Sequence, residues 1–303
     1  MNHEHQRQRR KHFSPLTLLQ LVALLFAIFE GTSSSTTYNI TNADELIAFS
    51  KSVNNGGTSF DGTTVFLTED IDFSSSTNGF EPIGKTESVN SFVGVFDGQG
   101  HIIKNFVVDS PDFRYTGLFG YSEGLTIKNV VIDETCSFAN RCPSNEQSAF
   151  VSSLIGTCKS GAGKVCVIEN VVNMATISFN GGSKTYIIPG GISGKCFGNC
   201  IVSNCVNFGS ILMSLDGIST YIFSGGIIGE VHGSSGSVTI KNCINYGSIT
   251  NNAVGNTLVA IGGIVGAIWS NIVIENCLSA GPVLTIGSSS GSLFVGSVMG
   301  EKE

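Results

Sequence analysis

The sequence predicts an all-β fold, a parallel β-helix in which each repeat of about 36 residues forms one coil. Three observations predict this fold. A motif of small and apolar residues ending in glycine recurs at intervals of 34 to 38 residues, a strand-like segment follows it, and polar loops of variable length join the two. Fixed strands joined by variable loops, without helical periodicity, are typical of a solenoid whose repeats stack on their neighbours. The glycine motifs occupy residues 117–120, 153–156, 191–194, 226–229, 263–266 and 297–300.

The strand-like segments contain an asparagine at a fixed position. Successive coils of a β-helix lie about 4.8 Å apart, so identical positions stack into rows. Asparagine tolerates the left-handed backbone conformation of a sharp corner, and its amide can bond the asparagine of the next coil. We therefore predict a structural asparagine ladder at one corner of the coils. It comprises Asn129, Asn170, Asn204, Asn242 and Asn276.

The residue after each of these asparagines is valine in two repeats and cysteine in three. A position that accepts either residue favours a small buried hydrophobe. A corner at the asparagine puts Ile240 and Cys243 inside, whereas a straight strand would put Ile240, Asn242 and Ile244 inside; the corner is the favoured interpretation. The alternative, a thiol stack that binds a soft metal, lacks a histidine at ligand spacing. We predict no metal and no cofactor, and a buried cysteine ladder of Cys205, Cys243 and Cys277.

The other six cysteines fall into close pairs, and each pair brackets a loop. Disulfides in exported proteins staple turns in this way, although sequence alone does not establish connectivity. We predict three local disulfides. They join Cys136 to Cys142, Cys158 to Cys166 and Cys196 to Cys200.

The first 34 residues differ from the rest of the chain. Four basic residues within 7–11 precede an apolar run at 15–29, an order typical of a signal peptide, and the run is short for a membrane span of about 20 residues. We expect residues 1–34 to be a signal peptide or signal anchor, so that the remainder is secreted or lies on the cell surface. If it stays uncleaved, this segment is the only expected contact with a membrane. Asn39 begins an Asn-Ile-Thr glycosylation sequence.

Composition limits the partners of the exported part. The chain has 303 residues, 41% of them hydrophobic, and a net charge of −7. Residues 1–30 hold four basic and two acidic residues, so their removal leaves a net charge near −9. An acidic protein of this kind argues against nucleic-acid binding through a basic face. The expected partner is a glycan or a protein.

An amphipathic helix is expected at the N-terminal end of the solenoid, over residues 41–53. Thr41 or Asn42 can cap it, and its apolar residues fall on one face. Such a helix covers the unpaired edge that an open solenoid exposes. Its apolar face consists of Leu46, Phe49 and Val53. The expected organisation is signal segment 1–34, cap and first coils 35–110, and repeats 111–303, of which the last is truncated.

The order of short motifs resembles the GLUG-motif family. LTEDID at 67–72, PIG at 82–84 and FVGVFDGQGHII at 92–103 precede the repeated GLFG and IKN segments, and the resemblance covers roughly residues 40–300. It implies a right-handed β-helix on an exported, adhesin-like surface protein. The resemblance brings no catalytic residue with it.

A β-helix can also carry a polysaccharide lyase or a glycoside hydrolase. Such enzymes need paired carboxylates, or a carboxylate-bound Ca²⁺ with a basic residue. The acidic candidates are Asp70, Asp72 and Asp97, the last of which lies four residues before His101. The glycines around Asp97 indicate a turn, and the later acidic residues are scattered. We therefore predict no catalytic residues.

The predicted function is the display of loops to a glycan or protein partner by a non-enzymatic surface or adhesion module. A carbohydrate-active β-helix enzyme and a structural spacer are the alternatives. Aromatic residues recur near repeat positions, where they can stack on sugar rings or on one another. They are Tyr186, Phe208, Tyr221, Phe223 and Tyr246.

Overall fold

Parallel strands stacked from coil to coil form nearly all of the described chain. The computed structural model describes residues 36–56, 60–76, 79–87, 91–110, 113–141, 147–161, 163–181, 184–215, 219, 221–252, 258–286 and 291–302. The predicted signal segment at 1–34 lies outside the described residues. Within the described ranges, no helix combines the length and the apolar character that a bilayer crossing requires.

The described residues form one α-helix and 29 β-strands. The helix, α1, is Ala43–Asn54. The first strands are β1 Thr36–Ile40, β2 Thr63–Leu67, β3 Ile71–Asp72, β4 Val95–Asp97, β5 Ile102–Lys104, β6 Val107–Ser110, β7 Tyr115–Thr116, β8 Phe119–Glu123, β9 Thr126–Ile132 and β10 Ser137–Asn140. The next are β11 Ser148–Val151, β12 Ile155–Lys159, β13 Cys166–Asn173, β14 Thr176–Gly181, β15 Tyr186–Pro189, β16 Ser193–Phe197, β17 Cys200–Ser203, β18 Val206–Asn207, β19 Ile211–Leu215 and β20 Tyr221–Gly225. The last are β21 Ile228–Lys241, β22 Ile244–Asn245, β23 Ile249–Asn252, β24 Leu258–Gly262, β25 Val265–Glu275, β26 Leu278–Ser279, β27 Val283–Thr285, β28 Ser292–Gly296 and β29 Met299–Lys302.

Three parallel sheets run along the solenoid, and neighbouring strands in each sheet come from successive coils. Sheet A has 17 strands and includes β8, β12, β16, β21 and β25. Sheet B has six strands, β6, β10, β14, β19, β23 and β27. Sheet C has six strands, β7, β11, β15, β20, β24 and β28. The prediction of an all-β parallel solenoid with one coil per repeat and a single helical cap is confirmed.

Helix α1 lies at the N-terminal end of the solenoid. The side chain of Asn42 accepts a hydrogen bond from the Glu45 backbone N–H at 3.0 Å, and Glu45 Oε2 accepts one from the Thr41 backbone N–H at 2.7 Å. Together they satisfy backbone donors that a helix start leaves open. The face formed by Leu46, Phe49 and Val53 is fully buried.

The five predicted ladder asparagines all adopt left-handed φ angles of 52° to 56°. Asn170 Nδ2 donates to Asn129 Oδ1 at 3.0 Å, and Asn242 Nδ2 donates to Asn204 Oδ1 at 3.0 Å. The row is interrupted once, because Asn204 Nδ2 lies 3.5 Å from Glu169 Oε1 instead of an asparagine. Its last member, Asn276, donates to Asn242 at 3.4 Å.

A second asparagine ladder, absent from the sequence analysis, lies inside the solenoid. Asn173, Asn207 and Asn245 are fully buried. Asn173 Nδ2 donates to Asn207 Oδ1 at 2.7 Å, and Asn207 Nδ2 donates to Asn245 Oδ1 at 2.8 Å. Each side-chain oxygen also accepts a backbone N–H two residues further on. The buried amides are therefore satisfied from coil to coil.

Only two of the three cysteines predicted to form a buried ladder are fully buried. Cys205, Cys243 and Ile240 are fully buried, as the corner arrangement requires. A hydrogen bond with the Cys205 thiol, together with burial, raises the pKa of Cys243 to about 12. Cys277 is only half-buried, contrary to prediction, because within the described residues its neighbouring strand β26 pairs with β22 on one side alone.

The cysteine pairs behave differently from one another. The predicted Cys158–Cys166 disulfide is confirmed, with its Cα atoms 6.1 Å apart. Cys196 and Cys200, the other predicted pair, are buried free thiols in this structure, and a hydrogen bond between their side chains raises the pKa of Cys200. Each of these thiols also lies 3.7 Å from another acceptor, Ser193 Oγ for Cys196 and the backbone oxygen of Phe197 for Cys200.

The remaining pair is only partly described. Cys136 is a buried free thiol whose Sγ donates to the backbone oxygen of Ile103 at 3.2 Å. Its predicted partner, Cys142, lies outside the described residues. Asn39, the predicted glycosylation residue, is exposed on β1.

Candidate functional site

Charged and aromatic side chains line a pocket where sheet C meets sheet A. Alternate residues of β11 face opposite sides: Ala149 and Val151 join the core shared with sheet B, whereas Phe150 packs with Tyr115 and Tyr121. The pocket beside this second cluster has a volume of about 220 Å³. We call it the basic pocket and define it by Arg114, Tyr115, Phe150, Thr157, Lys159 and Lys195, with Glu87, Tyr121 and Phe197 completing its wall.

Glycine lets the two sheets approach each other here. A Cβ atom on Gly194 would lie 2.6 Å from the backbone oxygen of Gly156 and 3.0 Å from that of Ile188. A larger residue would therefore push β16 away from sheet C. The recurring closing glycine of the repeat thus has a packing role at this junction.

The register of the coils builds the pocket from two rows of side chains. The first residue after each closing glycine forms one row, and the third residue after it forms the other. The first row is Tyr121, Thr157, Lys195, Glu230 and Ala267. The second row is Glu123, Lys159, Phe197, His232 and Trp269. Sequence reasoning missed both rows, although their fixed offset from the glycine was a signal that could have found them.

Each cation of the pocket lies close to at least one aromatic ring. Tyr115 and Phe150 stack with centroids 5.2 Å apart. The Arg114 guanidinium lies 5.3 Å from both of these centroids. Lys195 Nζ lies 5.8 Å from the centroids of Phe150 and Phe197. Lys159 Nζ lies 6.0 Å from the Phe197 centroid. These distances are those of cation–π contacts.

Each of the three cations also contacts a carboxylate. Arg114 NH1 lies 3.1 Å from Glu87 Oε1, and Lys159 Nζ lies 2.8 Å from Glu123 Oε1. Both pairs are partly exposed, so solvent screens them. Lys195 Nζ lies 2.9 Å from Glu230 Oε2 in a far more enclosed setting.

Glu230 is the most buried carboxylate of the site, with a side chain 5% exposed. Burial opposes its ionisation, but the contact with His232 and the charge of Lys195 outweigh burial and hold the pKa of Glu230 below its usual range. His232 Nδ1 lies 3.3 Å from Glu230 Oε1. Glu230 is therefore an ionised, partnered group at neutral pH.

Glu123 has two donors. Lys159 Nζ donates to Glu123 Oε1 at 2.8 Å and the Tyr121 hydroxyl donates to the same oxygen at 2.5 Å. These bonds lower the pKa of Glu123. Burial and the neighbouring carboxylate raise the pKa of the Tyr121 hydroxyl, which stays protonated.

Thr157 contributes a hydroxyl that no described residue satisfies. Its side chain is 6% exposed, lines the pocket, and its Oγ1 makes no hydrogen bond within the described part of the chain. Buried hydroxyls in proteins ordinarily have a partner.

The acidic candidates from the sequence lie on the early coils, away from this pocket, and are engaged by neighbours. Asp70 Oδ1 accepts from the Ile102 backbone N–H at 3.0 Å and lies 3.3 Å from His101 Nδ1. Asp72 and Asp97 accept in the same way from asparagine side chains and turn backbone N–H groups. These bonds lower the pKa of all three, that of Asp72 to about 2.

The aromatic residues singled out from the sequence form ring stacks between coils. Tyr186 and Tyr221 stack at 4.8 Å, and Phe208 and Tyr246 at 5.2 Å. Phe223 is buried in the cluster behind the pocket. The aromatic residues predicted from the sequence therefore do not include the rings that line the pocket, Tyr115, Tyr121, Phe150 and Phe197.

Glu123 and Glu230, the carboxylates that contact the two lysines of the pocket, are too far apart to act together in glycoside hydrolysis. Glu123 and Glu230 lie three coils apart, roughly 14 Å at 4.8 Å per coil. Hydrolases place their two carboxylates about 5 to 9.5 Å apart. In the described ranges, no group of three or more His, Cys, Asp or Glu side chains is placed to hold a metal ion.

Comparison with known proteins supports the fold. No protein-family model matches the sequence, and no curated protein matches it. A crystal structure from Bacteroides ovatus, described as a "putative immunoglobulin A1 protease", matches 88% of this chain and 84% of its own at a TM-score of 0.51 and 18% identity. At that identity the likeness shows a shared β-solenoid architecture alone. Fold and site together define the chain as a parallel β-solenoid with a basic pocket between two of its sheets.

Proposed function

We propose that the protein is an exported, non-enzymatic surface or adhesion module of the GLUG-motif type, and that its solenoid binds a glycan. The observation that carries the proposal is the basic pocket, in which cations, carboxylates and aromatic rings converge on one cavity. Sugar-binding sites combine these groups, since aromatic rings contact the apolar face of a sugar and polar groups fix its hydroxyls. A protein partner is the other ligand class that the sequence leaves open.

Two features support an extracellular location. The first is the order of basic and apolar residues within 1–34, which is typical of a signal segment. The second is the disulfide between Cys158 and Cys166, since such bonds persist in oxidising compartments.

The separation of Glu123 from Glu230 supports a binding role over catalysis. So do the hydrogen bonds that Asp70, Asp72 and Asp97 already accept from their neighbours. The contact between Glu230 and His232 favours the second candidate, a carbohydrate-active enzyme, because a carboxylate can orient an imidazole for proton transfer. In that case His232 would act next to Phe197, one coil beyond the pocket lining.

The experiment incubates the purified protein with a panel of neutral and acidic polysaccharides and follows retained and released species by mass spectrometry. The proposal predicts retention of at least one polysaccharide with its length unchanged. Shortened products would establish the enzyme instead. Retention of none of them would contradict glycan binding and leave the protein-partner and spacer interpretations.

A further inference from the structure

We propose that the basic pocket binds a uronate unit of an acidic polysaccharide, with the uronate carboxylate on Lys159 and Lys195 and the sugar ring beside Phe150 and Phe197. This inference rests on the proposed glycan-binding function and specifies the ligand of the same site.

The ammonium donors of the pocket point to an anionic ligand. Three of the side chains that line the pocket are cations and one is a carboxylate, Glu87. Each cation also contacts a carboxylate, so the free donors of the lysines, and not an excess of positive charge, would recognise the ligand. Lys159 and Lys195 each lie within 6.0 Å of the Phe197 centroid, so their ammonium groups approach the same ring. An ammonium has three donors; Lys159 spends one on Glu123, and Lys195 spends at most one on Glu230. Donors therefore remain for a ligand carboxylate.

Thr157 supplies an independent indication. Its hydroxyl is buried against the pocket and makes no hydrogen bond to a described residue. Leaving such a group unpaired costs about 1 to 3 kcal/mol in a folded protein. Because Thr157 stands between Tyr121 and Lys195 in its row, a ligand bonded to it also reaches the cations.

The pocket offers carboxylates and aromatic rings as well as cations, and this combination suits a sugar acid better than a simple anion. Glu87 and Glu123 are 50% and 40% exposed, so their oxygens can accept hydrogen bonds from sugar hydroxyls. The rings of Phe150 and Phe197 offer apolar contact to C–H groups. A cavity of about 220 Å³ is smaller than the roughly 300 to 1,000 Å³ of drug-sized sites, which suits one sugar unit.

The backbone around the pocket disfavours an acidic peptide. Extended peptides bind by adding a strand to a free sheet edge. Strand β12 pairs with β8 and β16, and β16 pairs with β12 and β21. These strands therefore have no free edge at the pocket, and recognition depends on side chains.

The test titrates the purified protein with tri-galacturonic acid by isothermal calorimetry, with its methyl-esterified form and tri-glutamate as comparison ligands. We expect tri-galacturonic acid to bind at least tenfold more tightly than either comparison ligand. Lys159→Gln should weaken binding about tenfold and Thr157→Val about fivefold, the losses expected for hydrogen bonds to a charged and a neutral group.

Lys164→Gln is the matched control. Lys164 also pairs with a carboxylate, Asp61, but lies outside the pocket lining, so its replacement should leave the affinity unchanged. Equal affinity for the methyl ester would show that the pocket does not recognise the uronate carboxylate. Equal affinity for tri-glutamate would show that it does not recognise the sugar ring. If neither Lys159→Gln nor Thr157→Val weakened binding, the ligand would not bind in the basic pocket. Failure to bind tri-galacturonic acid, with retention of a neutral polysaccharide, would overturn this inference alone and leave the proposed function standing.

Discussion

Lys195 Nζ lies 2.9 Å from Glu230 Oε2, and the two side chains are only 18% and 5% exposed. The pair joins β16 to β21 on adjacent coils, and Lys195 lines the basic pocket. The pair thus connects two coils and also fixes the position of the Lys195 ammonium beside the cavity. Removing one partner of such a pair leaves a buried charge without its counter-charge.

The Lys195→Met variant should be destabilised by about 3 kcal/mol, because Glu230 would remain buried without its cation. Urea unfolding followed by circular dichroism measures the loss. Lys164→Met is the control, since its pair with Asp61 is exposed and screened by solvent, so its loss should be much smaller. Equal losses in the two variants would show that burial of the pair has no energetic effect.

Acid should destabilise the wild type more steeply than Glu230→Gln. The pKa of Glu230 in the folded protein lies below its ordinary value of 4.5, so its ionised form stabilises the folded state. That contribution is fully present above pH 4.5 and is lost as the pH falls through the lower folded pKa. Unfolding free energies measured from pH 6 to pH 3 should therefore converge for the two proteins. Parallel curves would contradict the depressed pKa.

Asn242→Ala should be less stable than Asn242→Gly by about 1 kcal/mol. Both variants lose the hydrogen bond to Asn204, but only glycine adopts the left-handed φ of 54° without cost. Thermal unfolding of the two variants measures the difference. If alanine were tolerated as well as glycine, backbone conformation would not explain the asparagine at this corner.

Reduction should destabilise the protein through one bond. The Cys158–Cys166 disulfide closes a loop of sequence separation 8, which corresponds to about 2.5 kcal/mol of loop entropy. A reductant should therefore lower the melting temperature of the wild type. The double variant Cys158→Ala, Cys166→Ala should melt at the same temperature with and without reductant. A shift in that variant would indicate a further disulfide, such as one that includes Cys142.

The sequence was sufficient for the architecture because the solenoid repeats local rules. The spacing of the closing glycines and the preference of asparagine for a left-handed corner are both one-dimensional signals, and they predicted the coils and the row from Asn129 to Asn276. The inner row of Asn173, Asn207 and Asn245 repeats equally well. Its buried position depends on which face of the strand beyond the corner points inward, and the spacing of the asparagines alone does not determine that face.

The basic pocket was harder to predict because it joins residues from two sheets. Lys195 and Phe150 lie far apart in sequence, and their proximity depends on how closely sheet C approaches sheet A. The cysteine pairs show the same limit, since spacing alone does not separate the bonded Cys158 and Cys166 from the free thiols Cys196 and Cys200. Local acceptors for the two thiols appear only in the folded chain.

Lysine footprinting is the most direct test of non-enzymatic uronate binding in the basic pocket. The protein is acetylated with and without saturating tri-galacturonic acid, and the modification of each lysine and the length of the sugar are read by mass spectrometry. Uronate binding in the basic pocket predicts that the sugar protects Lys159, leaves Lys164 as reactive as before, and is recovered uncut. Unchanged labelling of Lys159, or a shortened sugar, would contradict it.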